Sequence, residues 1–373
     1  MTGARAHNSD AIRHLYVHFP FCARICPYCA FYKTRGNAAD LARFCTALTT
    51  ELERVSKSIP FQLETIFFGG GTPTVLGTAQ LDTLLRFFGE IFDLTKLQEW
   101  TIESNPGSVS ARKAAALRQG GITRVSLGLQ SWDNGLLRLL GRDHDAAKAH
   151  ESFRVFREAG FENISVDLMF ALPGQTEAQW RRSLEKTIEI GPEHISTYCL
   201  TYEEDTDFLV RFQRGEFQVH DEIETRFFLM AIELLESAGY QHYEISNYAR
   251  SGFRSRHNRA YWRGEDYIGL GPSAFSTRNG QRWQNITDHR DYARRLEAGE
   301  SPIASVEKLT SNMERTERIA LGLRTSEGIA KELINERDVV DLISAGLLMQ
   351  DDSRFVLTSR GKLLADSIAE DLL

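Results

Sequence analysis

Three cysteines pose the chemical question. The chain has five, and Cys22, Cys26 and Cys29 fall within eight residues in the spacing C-x3-C-x2-C. Three thiolates on one short loop can converge on a single metal centre, and soft sulfur donors favour Zn²⁺ or an iron–sulfur cluster. A structural zinc site wants four closed ligands. No fourth cysteine lies near: residue 31, two past Cys29, is Phe, and His18 precedes the loop in a strand-like run. Three ligands suit a four-iron cluster, because they leave one iron open to a substrate. An odd cysteine total in a long chain argues against a disulfide framework, and Cys45 and Cys199 read as small buried apolar residues.

Other side chains stand where chemistry could follow. Gly69-Gly70-Gly71-Thr72 comes directly after a β-rich run, and glycines there let a backbone approach a ligand. The alternative is a simple tight turn. Glu103 closes an apolar run just before Asn105-Pro106-Gly107. A carboxylate there can accept hydrogen bonds from both hydroxyls of a ribose, or cap a turn. Asp167 lies in Val166-Asp167-Leu168-Met169-Phe170, and a buried carboxylate needs partners, either a ligand or a structural network.

The elements that must position these groups are legible as a rhythm. Short β-rich runs occur at 14–18, 64–68, 100–103, 124–129, 164–170 and 195–200. Helical periodicity fills the gaps at 39–56, 79–92, 111–119, 146–159, 177–190 and 221–238. Strand alternating with helix implies right-handed crossovers and a parallel sheet. Six units predict an α/β fold, an open (β/α)6 TIM-like partial barrel, with ligands at the carboxyl ends of its strands. From 241 to about 271 the pattern gives way to what reads as a loop-rich cap. From 310 onward helices, a strand, an Asp351-Asp352-Ser353 turn, a second strand and a last helix suggest a mostly helical, winged-helix-like module. The divisions expected are a barrel at 1–240, a cap at 241–305 and the C-terminal module at 306–373.

Composition excludes several classes. With 51 acidic against 44 basic residues the formal charge is −7, which argues against bulk capture of nucleic acid. The acidic end of the C-terminal module (Glu370, Asp371) favours packing over DNA binding. No stretch approaches the roughly 20 apolar residues of a membrane span. The polar segment 1–13 has no apolar signal core, so a cytoplasmic location is expected.

The cysteine spacing, with Tyr28 before the last Cys and a strand ahead of it, resembles the radical S-adenosylmethionine (radical SAM) superfamily. Tyr16-Val17-His18-Phe19-Pro20-Phe21-Cys22 is similar to the opening of the oxygen-independent coproporphyrinogen III oxidase family and its relatives. Phe68–Thr74, Ser126–Ser131, Asp167–Thr176, His257–Trp262 and 264–274 extend the likeness in order. It runs from about residue 15 to the C-terminus and is nearest to that family's heme-chaperone branch. The resemblance implies a [4Fe–4S] cluster on Cys22, Cys26 and Cys29, with SAM chelated at the open iron. It implies SAM contacts at Tyr16, Gly70, Gly71, Thr72, Glu103, Gln130, Arg142 and Asp167. It also lifts a heme reading of His257, whose imidazole could be an axial ligand, with Tyr261 and Trp262 against the porphyrin face. The plainer alternative is that His257 and Trp262 only close the barrel mouth.

Within this family the branches differ. The decarboxylating oxidases carry C-x3-C-x2-C-x-C, and Phe31 stands at the extra position here. They also have a longer N-terminal segment, where about 15 residues precede the first strand in this chain. The expected function is therefore a heme carrier that binds heme, a cluster and SAM and passes heme to an apo-hemoprotein, respiratory targets and a homodimer being within scope. A radical SAM catalyst acting on a tetrapyrrole is the alternative. Arg250, Arg254, Arg256, Arg259 and Arg263, separated only by neutral residues, are expected to receive the heme propionates.

Overall fold

The computed structural model describes residues 11–373; of the polar N-terminal segment, residues 1–10 lie outside the described residues. Six parallel strands form its centre: β1 (Ile12–Phe19), β2 (Phe61–Gly70), β3 (Glu99–Ser104), β4 (Arg124–Gln130), β5 (Ile164–Phe170) and β6 (His194–Cys199). The helices between them are α1 (Ala38–Ser58), α2 (Thr78–Ile91), α3 (Ala111–Gln119), α4 (Asn134–Leu139), α5 (Ala146–Glu158) and α6 (Glu177–Ile190). Each begins where a side chain can satisfy orphan amides. Asn37 and Asp40 make a capping box at α1, Asp145 caps α5, and Thr176 with Gln179 caps α6. After β6 come α7 (Asp207–Gln213) and α8 (Asp221–Ser237).

The segment expected to be a loop-rich cap is not one. It folds into β7 (Gln241–Glu244), β8 (Asn247–Ala249), α9 (Arg256–Trp262) and β9 (Tyr267–Leu270), followed by β10 (Phe275–Arg278), β11 (Gln281–Asn285), α10 (His289–Glu297) and β12 (Ile303–Lys308). These strands extend the sheet on both sides, giving twelve in the order β12-β11-β10-β9-β1-β2-β3-β4-β5-β6-β8-β7. On one side β9 continues the sheet parallel to β1 before β10, β11 and β12 turn antiparallel, and on the other β8 and β7 are antiparallel. The remainder is α11 (Ser311–Leu323), β13 (Ile329–Ala330), α12 (Val340–Ser344), β14 (Leu348–Gln350), β15 (Arg354–Leu357), α13 (Ser359–Lys362) and α14 (Ala365–Asp371). It holds a three-stranded antiparallel sheet, β13-β15-β14. Ile319, Leu323, Phe355, Leu357 and Ile368 gather there in a cluster of their own, apart from the barrel core.

The strands of the barrel obey period two unusually strictly for parallel strands. Leu15, Val17, Ile66, Phe68, Trp100, Ile102, Val125 and Leu127 pack outward beneath the helices, each fully buried. Most inward positions are polar, Phe67 on β2 being an exception. Register places His14 beside Thr65 and Thr65 beside Glu99, then Glu103 beside Ser126 and Ser126 beside Ser165, then Gly128 beside Asp167 and Asp167 beside Ser196. A barrel lined in this way holds a polar interior inside an apolar wall. No helix among the described residues is long and apolar enough to cross a membrane.

Candidate functional site

The cysteine loop leaves the carboxyl end of β1. Its base is closed by Cys22 N–H donating to Thr34 O at 3.0 Å and Thr34 N–H to Pro20 O at 2.7 Å. Thr72 Oγ1 lies 3.6 Å from Cys22 Sγ, and Arg142 Nη1 lies 3.5 Å from Cys26 Sγ. Burial pushes the Cys22 and Cys29 thiols up, so they favour the protonated form in the absence of a metal. Among the described residues no group of three or more His, Cys, Asp or Glu side chains is disposed to hold a metal ion. A four-iron cluster distributes its thiolates over separate irons and does not need that convergence. The donor set, three thiols with no fourth side chain, fits such a cluster with one open iron. His18 is otherwise engaged: its ring nitrogens meet Tyr16 Oη at 3.0 Å and Tyr32 O at 2.9 Å.

The glycine turn ends β2 and is stitched to the entry of the cysteine loop. Gly71 N–H donates to Phe19 O at 2.6 Å and Thr72 N–H to Phe21 O at 2.8 Å. Gly70 has φ +101°, and a Cβ on it would meet the His18 ring at 2.5 Å. The turn therefore presents bare backbone beside the cluster loop, a cradle that side chains would fill. Glu103 accepts from Gly70 N–H at 3.1 Å. Burial, then the nearby Asp167, pushes its carboxyl up to about 8. Asp167 accepts from Ser126 Oγ at 3.0 Å and Ser165 Oγ at 3.3 Å, and burial pushes it upward too. Arg142 also donates to Gly128 O at 2.8 Å and to Asn105 Oδ1. Gln130 ends β4 with φ 68°, an unusual conformation for a side-chain-bearing residue, after a register slip between β4 and β5.

A cavity of about 680 Å³ opens beside these groups. Tyr16, Gly70 and Glu103 line one side, and His257, Tyr261 and Trp262 the other. Gly71, Thr72 and Arg142 sit at the cysteine loop instead, while Gln130 and Asp167 lie outside the cavity wall. The rim is apolar and exposed: Phe31, Tyr261 and Phe275 are 68%, 47% and 45% accessible. His257 enters on α9, whose first turn is tied down by a carboxylate that sequence reasoning did not find. Glu99, buried on β3, accepts from Arg256 N–H at 2.9 Å and His257 N–H at 3.0 Å. Burial, then the neighbouring His14 and Arg124, pulls the His257 imidazole down to about 3, so it is neutral and keeps a lone pair at ordinary pH.

The arginine run is corrected by the structure. None of the five lines the cavity. Arg259 and Arg263 both engage Glu327, Arg254 donates to Gln241 and lies over the Tyr243 ring, Arg250 lies over Tyr240, and Arg256 is exposed. The neutral residues between them left no local acid, and the acid came instead from far along the chain. Arg254 and Arg256 are therefore no longer expected to control heme affinity.

Glu327 clamps α9 to the C-terminal module, with Arg324 stacked 5.5 Å over Trp262. The two guanidinium groups hold its carboxyl down at about 2. Such a group adds stability above its unfolded value of 4.5, lost as pH falls through about 2. Glu327→Ala is expected to lose about 1 kcal/mol, since the site is partly solvated. Thermal midpoints of the two proteins should differ near neutral pH and converge in acid; an equal gap at both would refute the ion-pair account.

Comparison with known proteins agrees with this geometry. The Radical SAM superfamily model matches residues 16–187. The E. coli coproporphyrinogen III oxidase HemN, described as a radical SAM enzyme, superposes with a TM-score of 0.84 at 21% identity over 97% of this chain and 90% of its own. Residues 16–187 thus carry a radical SAM domain. The heme chaperone HemW of Lactococcus lactis is 33% identical over 96% of both chains, and that of Bacillus subtilis 33% identical over 96% of this chain and 98% of its own. The chain belongs to the HemW family.

Proposed function

We propose that this protein is a heme chaperone: it takes heme into the barrel cavity and passes it to an apo-hemoprotein. The observation that carries the reading is the neutral His257 imidazole on the wall of an apolar-rimmed cavity of about 680 Å³, flanked by Tyr261 and Trp262. Imidazole is a common axial ligand, and broad aromatic faces suit a macrocycle. Cys22, Cys26 and Cys29 would hold the [4Fe–4S] cluster. The Gly70–Thr72 turn, Tyr16, Glu103, Gln130, Arg142 and Asp167 would hold SAM. Reduced, that pair supplies one-electron cleavage of the sulfonium. The chain's own part is to pin the loop through Thr72 and Arg142 and to present Glu103 to the ligand. A cytoplasmic site of action, respiratory acceptors and a homodimeric form belong to the same proposal, as does the division into a barrel at 1–240, a sheet-extending segment at 241–305 and a C-terminal module at 306–373.

The test is an anaerobic absorbance titration of the reconstituted full chain with heme. Wild type should give a saturable Soret band, and His257→Ala should shift or weaken it, with affinity falling by about tenfold or more. An unchanged band in the variant would discard the ligand assignment. Turnover of coproporphyrinogen III, with no saturable heme site, would replace the carrier by the decarboxylating enzyme.

A further inference from the structure

Three side chains from distant parts of the chain form a line behind His257. Its Nδ1 lies 2.8 Å from Thr65 Oγ1, Thr65 Oγ1 lies 2.9 Å from His14 Nδ1, and His14 Nε2 lies 3.1 Å from Glu265 Oε2. β1 and β2 run side by side with His14 in register with Thr65, so the first two are neighbours by construction. α9 brings His257 over Thr65, and the turn after α9 brings Glu265 back to His14 and Arg13. Ionised carboxylates only accept, and Glu265 is held in that state by His14 and two guanidinium groups, Arg13 and Arg263.

The protons in this line can be counted. Glu265 takes the Nε2–H of His14. An imidazole carrying that single proton offers only a lone pair at Nδ1, whereas a second proton on His14 would reverse the line. The Thr65 hydroxyl has one proton and gives it to that lone pair. Its oxygen accepts in turn, so His257 must donate from Nδ1. The proton of neutral His257 is thereby placed on Nδ1, and Nε2 is left with a lone pair. Nε2 makes no hydrogen bond among the described residues, and His257 lines the cavity. The reversed line, with protons running from His14 Nδ1 to Thr65 to His257, would leave Nε2 as a donor, unable to bind a metal.

We propose that Glu265, His14 and Thr65 are positioning residues that fix the tautomer of His257 and present its Nε2 lone pair to heme iron. The iron part rests on the heme-carrier reading; the tautomer part rests on the hydrogen-bond line with a single proton on His14. It follows the general pattern in which a ligating imidazole is oriented by the partner of its other nitrogen.

Two measurements test it on the full chain. In heme-free protein carrying ¹⁵N-labelled histidine, NMR at neutral pH should find the His257 proton on Nδ1 in wild type and Thr65→Ser, and a mixed or Nε2–H state in Thr65→Val. In the heme titration, Thr65→Val should bind about tenfold more weakly with an altered ferric axial-ligand spectrum, and Thr65→Ser should restore both. A wild-type His257 protonated on Nε2 overturns the proposal. So does a Thr65→Val protein whose heme affinity and spectrum match wild type while His257→Ala loses them. If wild type shows no saturable heme site, the carrier reading fails, and the NMR result alone then decides the hydrogen-bond line.

Discussion

Glu103→Gln is expected to make the ligand-free protein more stable in mild alkali and a poorer binder of SAM. The carboxyl is buried beside Asp167 and is displaced from its ordinary 4.5 to about 8. The folded state therefore holds a proton that the unfolded state releases between those values. Stability is full below about 4.5 and declines as pH rises through about 8. Glutamine removes the charge and keeps an oxygen for Gly70 N–H. At about pH 8 and above the variant should gain on the order of 2–4 kcal/mol, and near pH 4 almost nothing. Such a gain at a functional carboxylate is the usual sign of a site held at some expense to stability. In the proposed assignment the ionised carboxylate accepts from both ribose hydroxyls, and glutamine has only one accepting oxygen. Loss of a charged hydrogen bond, about 1.5–3 kcal/mol, predicts SAM binding weaker by roughly tenfold to a hundredfold. Wild-type affinity should rise with pH toward about 8 as the carboxyl ionises, and the variant's should stay flat. A wild-type affinity independent of pH would refute the role given to Glu103.

Much of this site was readable before the structure, and the reason is locality. The cysteine loop, the glycine turn and the six central strands are contiguous segments whose spacing or alternation is visible in sequence. Ala111–Gln119, Glu177–Ile190 and Ile164–Phe170 fall on the expected boundaries. Elements with no apolar pattern escaped. β11 reads Gln-Arg-Trp-Gln-Asn, and every residue of β12 is exposed. β7 and β8 carry polar and aromatic residues whose burial depends on partners, His242 stacking on Tyr248 at 4.3 Å. α4 and α7, at six and seven residues, are too short for a period to emerge. Long-range pairs were beyond reach for a different reason: Thr65 and His257 are 192 positions apart, and Glu99 and His257 158. A faint signal did exist for the polar lining. His14, Tyr16 and His18, or Arg124 and Ser126, alternate with fully buried apolar residues in strands that, in a parallel sheet, would ordinarily be apolar throughout.

Glycine-to-alanine changes provide the sharpest contrast, since one added methyl group should act with opposite sign at two positions. At Gly71 an added Cβ would lie 2.7 Å from both Phe19 O and Phe21 O. Those are backbone atoms, already receiving the Gly71 and Thr72 amides, and neither can turn aside. The turn must move off the strand end, which costs about 1–3 kcal/mol. The displacement also pulls on Phe21 and hence on Cys22, whose sulfur faces the Thr72 hydroxyl. Gly71→Ala should therefore lower the thermal midpoint, reduce iron retained per chain after reconstitution, and weaken SAM binding by about tenfold or more, as a 2 kcal/mol misfit would. At Gly89, in the last turn of α2, an added Cβ meets nothing within 4 Å. Alanine there relieves the entropic weakness of a helical glycine and should stabilise by up to about 1 kcal/mol, with iron and SAM unaffected. Because both variants change the unfolded chain alike, the difference between them isolates the close approach of the Gly71 backbone to the cysteine loop. Equal midpoints and equal SAM affinities would mean that this approach has no part in holding the ligand.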